Sequence, residues 1–202
     1  MASTFSQIKL GSLEDSCTAL FICDLQEKFS PVISHFKEIT VNTDKLLKGC
    51  KLMDIPVVVT EQYPKGLGQT VSSLDIEGCN VIAKTLFNMM VPEVEKLSKV
   101  LCNGNLKSII LVGVETHVCI EQTAIDLVSR GFTVHIVADC CSSRSHEDRM
   151  LAFQRLQQIG CYISTSESIL FKLLKSKDHP KFKEVAALVK TISQTTDLSS
   201  SL

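Results

Sequence analysis

The sequence predicts an α/β protein: a doubly wound parallel sheet flanked by helices, folded as a single three-layer domain. Three observations carry that reading. At 202 residues the chain has enough length for one sizeable hydrophobic core and too little for two ordinary domains. Short runs that are apolar at nearly every position recur along it, the pattern of strands covered on both faces of a parallel sheet. Longer stretches with helical spacing lie between those runs, and strands alternating with helices imply crossover connections and a Rossmann-like layering.

The first strand is read at 18–23 (Thr-Ala-Leu-Phe-Ile-Cys), closed by Asp24. Leu46, Leu47, Cys50 and Met53 mark a helix before a second strand at 55–60. Residues 61–77 hold Pro64, Gly66 and Gly68 directly after that strand and are expected to loop over the carboxyl edge of the sheet. A helix over 91–101 precedes a central strand at 108–113. The stretch 118–130 places Ile120, Ala124, Leu127 and Val128 on neighbouring turns, and Gly131 follows where a helix stop is expected. A fourth strand at 133–138, a helix over 143–158 and a fifth strand at 161–164 complete the pattern. The expected organisation is an N-terminal segment over 1–17, the domain over 18–190, and a Ser- and Thr-rich flexible tail over 191–202.

Composition narrows the function. The 21 Lys and Arg balance 22 Asp and Glu to a net charge of −1 and are scattered, so there is no basic stripe for nucleic acid or anionic lipid, and a small-molecule partner is expected. Nine cysteines, odd in number and set in apolar runs, suit buried, reduced thiols. No basic start followed by an apolar block opens the chain, and no apolar run approaches the roughly 20 residues that span a bilayer. The expected compartment is the cytoplasm, with mitochondrial or peroxisomal association through partners left open. The ending Ser200-Ser201-Leu202 lacks the basic middle residue of a peroxisomal signal.

In such a sheet the strand ends converge, which gathers Asp24, Glu61 and the segment 113–119 (Gly-Val-Glu-Thr-His-Val-Cys) at one crevice. Cys119 falls in the first turn of the helix after the central strand, where unpaired N–H groups favour a thiolate. Alone, such a cysteine more often packs a core; its company is what singles it out. Asp24 can take the thiol proton and return it to a leaving group, and Lys84, held near both, would stabilise carboxylate and thiolate. His117, two residues from Cys119, is expected to face elsewhere and to cap or lie at the surface. The adjacent Cys140 and Cys141 have no Cys-x-x-Cys spacing and read as packing residues.

Three separated motifs resemble the isochorismatase-like cysteine hydrolases: Asp24-Leu25-Gln26, Lys84-Thr85-x-Phe87, and the turn ending in Cys119. The stretches 26–29 (Gln-Glu-Lys-Phe), 60–68 and 141–145 are similar to the eukaryotic isochorismatase domain-containing proteins. The resemblance implies a catalytic triad of Asp24, Lys84 and Cys119. It implies a cis peptide bond at Val114–Glu115, an oxyanion hole of nearby backbone N–H groups that include Glu115 and Cys119, and a homo-oligomer, dimer or tetramer. Tyr63, Phe29, Phe87 and Gln26 are the expected substrate-pocket residues. Nicotinamide-hydrolysing relatives carry an Asp-x-His metal motif after the second strand, where this chain has Thr60-Glu61-Gln62-Tyr63-Pro64 and no histidine from there to His117. No metal and no cofactor are therefore expected, and nicotinamide is disfavoured as substrate. The implied function is metal-free hydrolysis of a small amide, carbamoyl or related compound through a thioester-type intermediate. The alternative is a catalytically silent scaffold of the same fold.

Overall fold

The computed structural model describes residues 10–198. Residues 1–9 of the expected N-terminal segment, and 199–202 with the Ser-Ser-Leu ending, lie outside the described residues. Six strands form one sheet: β1 (Thr18–Cys23), β2 (Val57–Gln62), β3 (Asn80–Lys84), β4 (Ser108–Val114), β5 (Thr133–Ser142) and β6 (Tyr162–Ser164). All neighbours are parallel, in the order β3-β2-β1-β4-β5-β6. The winding reverses between β1 and β4, and the crevice above such a switch point is where open α/β sheets hold ligands.

Seven α-helices are described: α1 (Phe36–Leu52), α2 (Pro64–Leu67), α3 (Pro92–Ser98), α4 (Glu121–Ser129), α5 (His146–Gln158), α6 (Ser166–Leu174) and α7 (Phe182–Val189). None is long and apolar enough to cross a membrane. Alternate residues of β1 feed two cores. Leu20 and Ile22 pack with Ile39 and Leu46 of α1, Ile169 of α6 and Val185 of α7, whereas Ala19, Phe21 and Cys23 pack with Val94 of α3, Leu127 of α4 and Phe153 of α5. Burial on both faces is why β1 reads as an unbroken apolar run.

Several expectations are shifted by the structure. The sequence reading gave five strands; the sixth, β3, is an edge strand with only Lys84 fully buried, so its apolar run is short and half wet. β2 begins two residues later than expected, after Pro56, whose carbonyl accepts from Leu20 N–H. β5 runs on to Ser142 instead of stopping at Ala138. Its register jumps from Leu111 opposite Ile136 to Gly113 opposite Cys141, a bulge that absorbs the residues read as a turn. Cys140 and Cys141 then fall in opposite cores. Ser145 caps α5 by accepting from Asp148 N–H, and Gly131 ends α4 with φ of +87°.

Residues 191–198, the described part of the expected tail, lie along α1 and α5. The Lys45 ammonium donates to Thr191 O and Ser193 Oγ, and the Asn42 amide exchanges two hydrogen bonds with the Gln194 backbone. Arg149, 1% exposed, donates to Thr196 O and Oγ1 and to Ala138 O.

Candidate active site

Asp24 stands one residue past β1, with φ of +55°, a left-handed conformation that Asp tolerates better than most residues. That turn aims its carboxylate along the sheet edge. Lys84, the last residue of β3, reaches across β2 to meet it: Nζ to Asp24 Oδ2 is 2.6 Å, and both side chains are wholly buried. Two charges taken from water are tolerated only when their remaining hydrogen bonds are filled. Here they are. Thr60 Oγ1 donates to Asp24 Oδ1 at 2.8 Å, and Lys84 Nζ also donates to Gln62 Oε1 at 2.7 Å and to the carbonyls of Leu86 and Phe87, both at 3.1 Å. Burial works to lower the Lys84 pKa, but Cys23, Asp24 and Cys119 around it prevail and hold it above its ordinary value. The ammonium is permanent at physiological pH.

Cys119 lies in a single π-helical turn, Thr116–Ile120, that joins β4 to α4; such turns inside helices recur at functional sites. The Val114–Glu115 peptide bond that leads into the turn is cis. Cys119 is 5% exposed, and its sulfur lies within 4.8 Å of the Cys23 sulfur and of an Asp24 carboxylate oxygen. Burial first, then the neighbouring Cys119 and the Asp24 charge, push the Cys23 thiol well above the ordinary range. Gly113, opposite Cys23 in the β1–β4 register, has φ of +125°; a Cβ there would sit 2.0 Å from Cys23 O, so only glycine lets the strands close up under the site.

The remaining residues singled out from sequence divide. Gln26 is fully buried, and its amide clamps the loop after β2: Nε2 donates to Gln62 O and Gly68 O, and Oε1 accepts from Gln62 N–H. Phe29 packs against the core on the α1 side. Tyr63 and Phe87 are 55% and 50% exposed. Tyr63, Ala83, Leu86 and Val91 line a 560 Å³ cleft that reaches Lys84. The Glu115 carboxylate accepts from Arg144 N–H and Nε, and the ring nitrogens of His117 meet Ser143 Oγ at 3.0 Å and Asp148 at 3.9 Å. His117 thus serves the β5–α5 junction. Glu61 accepts from Thr70 N–H and Oγ1.

Cys23, Asp24 and Cys119 present two sulfurs and an oxygen close enough to approach one cation. Both Asp24 oxygens are already engaged, however, one by an ammonium, and a fixed positive charge at that distance opposes a second. The donor set does not fit a resident metal. The sequence alone assigns no site role to Thr60, Gln62 or Cys23. Their only signal was position, at strand ends flanking Asp24 and Lys84.

The isochorismatase domain model matches residues 18–168. Isochorismatase domain-containing protein 1 of Danio rerio is 48% identical over 193 residues, covering 95% of this chain and 67% of that protein. Isochorismatase domain-containing protein 2A of Mus musculus is 43% identical over 185 residues, covering 92% and 88%. Among solved structures, the MAR1 ribonuclease from Caenorhabditis elegans superposes with a TM-score of 0.87 at 44% identity, covering 93% and 96%. The YcaC product of Escherichia coli, described as an octameric hydrolase of unknown specificity, shares the fold at 22% identity, covering 88% of each chain, with a TM-score of 0.79. Fold, motifs and relatives agree, and the chain belongs to the isochorismatase family.

Proposed function

We propose that the protein is a metal-free cysteine hydrolase of a small amide, carbamoyl or related compound. The observation that carries this reading is the fully buried Asp24–Lys84 pair set within reach of the Cys119 sulfur. In the proposed cycle Cys119 passes its proton to Asp24 and attacks the substrate carbonyl. Backbone N–H groups of Glu115 and Cys119 hold the developing oxyanion. Asp24 returns the proton to the leaving amine, which departs and leaves a thioester. Water, deprotonated by Asp24, then releases the acid and restores the thiol. Lys84 keeps Asp24 in place and offsets the negative charge that the thiolate and carboxylate bring to a buried site. Substrate enters by the cleft beside Lys84, with Tyr63 and Leu86 among its walls; Phe87 and Phe29, outside that lining, are proposed to contact it deeper in the site. A homo-oligomer is proposed as the working state.

The name of the C. elegans relative gives a second reading, RNA cleavage, and the high identity favours testing it. The near-balance of 21 Lys and Arg against 22 Asp and Glu, scattered along the sequence, does not favour it. A screen of small amides and carbamoyl compounds for released amine or ammonia, run beside a single-stranded RNA substrate, separates the two. Turnover of an amide that vanishes in Cys119→Ala, with an acyl adduct on Cys119 by mass spectrometry, is the expected result. RNA cleavage that survives Cys119→Ala would overturn the hydrolase reading.

A further inference from the structure

The mechanism leaves the buried thiol beside Cys119 without a task. Cys23 sits at the end of β1, immediately before Asp24, on the face that carries Cys119. Its sulfur and that of Cys119 are within 4.8 Å. Gly113 holds this arrangement, because the absence of a side chain opposite Cys23 lets β4, and the turn that follows it, lie close to β1. The adjacent Cys140 and Cys141, by contrast, point into opposite cores.

We propose that Cys23 is the resolving partner of Cys119: a hydroperoxide oxidises Cys119 to a sulfenic acid, and Cys23 closes it into a disulfide that reversibly withdraws the nucleophile. This rests on the reading of Cys119 as a nucleophile. In the first step the Cys119 sulfur attacks one peroxide oxygen. An S–O bond forms, the O–O bond breaks, sulfur gives up two electrons, and the leaving hydroxide takes the thiol proton and departs as water. In the second step the Cys23 sulfur attacks the Cys119 sulfur, the S–O bond breaks, and the hydroxyl leaves as water with the Cys23 proton. A dithiol returns both cysteines to thiols and is itself oxidised to a disulfide.

The test uses the full chain, treated with equimolar hydrogen peroxide, blocked with iodoacetamide and digested without reductant for mass spectrometry. The expected result is a linked pair of peptides carrying Cys23 and Cys119, lighter by two hydrogens, with loss of Cys119 labelling that dithiothreitol restores. In Cys23→Ser the link is absent and Cys119 accumulates as a sulfenic acid trapped by dimedone. If untreated Cys119 labels readily and peroxide yields the same sulfenic acid in wild type and Cys23→Ser with no link in either, the resolving role is overturned while the nucleophile stands. If untreated Cys119 is inert to both iodoacetamide and peroxide, the nucleophile reading falls and the pair falls with it.

Discussion

At the scale of single residues, a buried ion pair is stabilising only while both partners remain. Asp24 and Lys84 have no access to water and fill each other's hydrogen bonds. Lys84→Met therefore strands a carboxylate and is expected to cost about 3 to 5 kcal/mol in urea unfolding, whereas a surface lysine such as Lys48, paired with Asp44 in water, costs under about 1 kcal/mol when removed. His135 makes the second residue-scale prediction. It is buried on β5, stacks on Tyr162 with centroids 5.1 Å apart, and neither ring nitrogen has a hydrogen-bond partner among the described residues. Burial, helped by Lys172, lowers its pKa from 6.5 to about 4. The unfolded chain then binds the proton first as pH falls, so stability is full above 6.5 and declines towards 4. The loss is on the order of 3 kcal/mol, and His135→Leu should remove that part of the slope when urea midpoints are compared near pH 7 and near pH 4. A slope unchanged in His135→Leu would assign the acid sensitivity to other groups.

At the scale of elements, the β1–β4 contact fixes the site. Gly113→Ala puts a methyl group into Cys23 O, and forcing the strands apart is expected to cost about 1 to 3 kcal/mol or more and to slow Cys119 alkylation, read by urea unfolding and by mass spectrometry on the same variant. Wild-type reactivity in Gly113→Ala would mean that the strands need not close for the site to work. The same contact shows what is legible in a sequence. β1 and β4 could be read because burial on both faces makes them apolar throughout, and Asp24 and Cys119 because each follows such a run. β3 could not: an exposed edge strand leaves only Lys84 to hide, and one buried lysine at a strand end looks like any surface lysine. Cys23 was hidden among eight other cysteines, since only the register of β1 against β4 distinguishes it from a packing residue. The bulge in β5 was hidden for a similar reason, because Asp139 to Ser142 have turn-like composition and are held instead by Ser166, which donates through its N–H and Oγ to Asp139.

At the scale of the molecule, residues 191–198 are built into the fold. A Ser- and Thr-rich stretch reads as a tail because its side chains are polar, but here its backbone is what binds, through Lys45, Asn42 and Arg149. Truncation after Lys190 leaves Asn42 and Arg149 buried without those partners. It is expected to destabilise the protein by at least about 3 kcal/mol and to open α1 and α5 to hydrogen exchange; protection unchanged by the truncation would show that 191–198 carries no load. The chemistry proposed for the whole molecule is tested most directly by the rate of Cys119 alkylation by iodoacetamide at neutral pH in wild type, Asp24→Asn and Lys84→Met, with the folded fraction of each variant measured alongside. The expected result is that Cys119 reacts ahead of the other eight cysteines in wild type and slows in both folded variants. Equal rates in all three proteins would mean that Asp24 and Lys84 do not act on Cys119, and would contradict the proposed hydrolase.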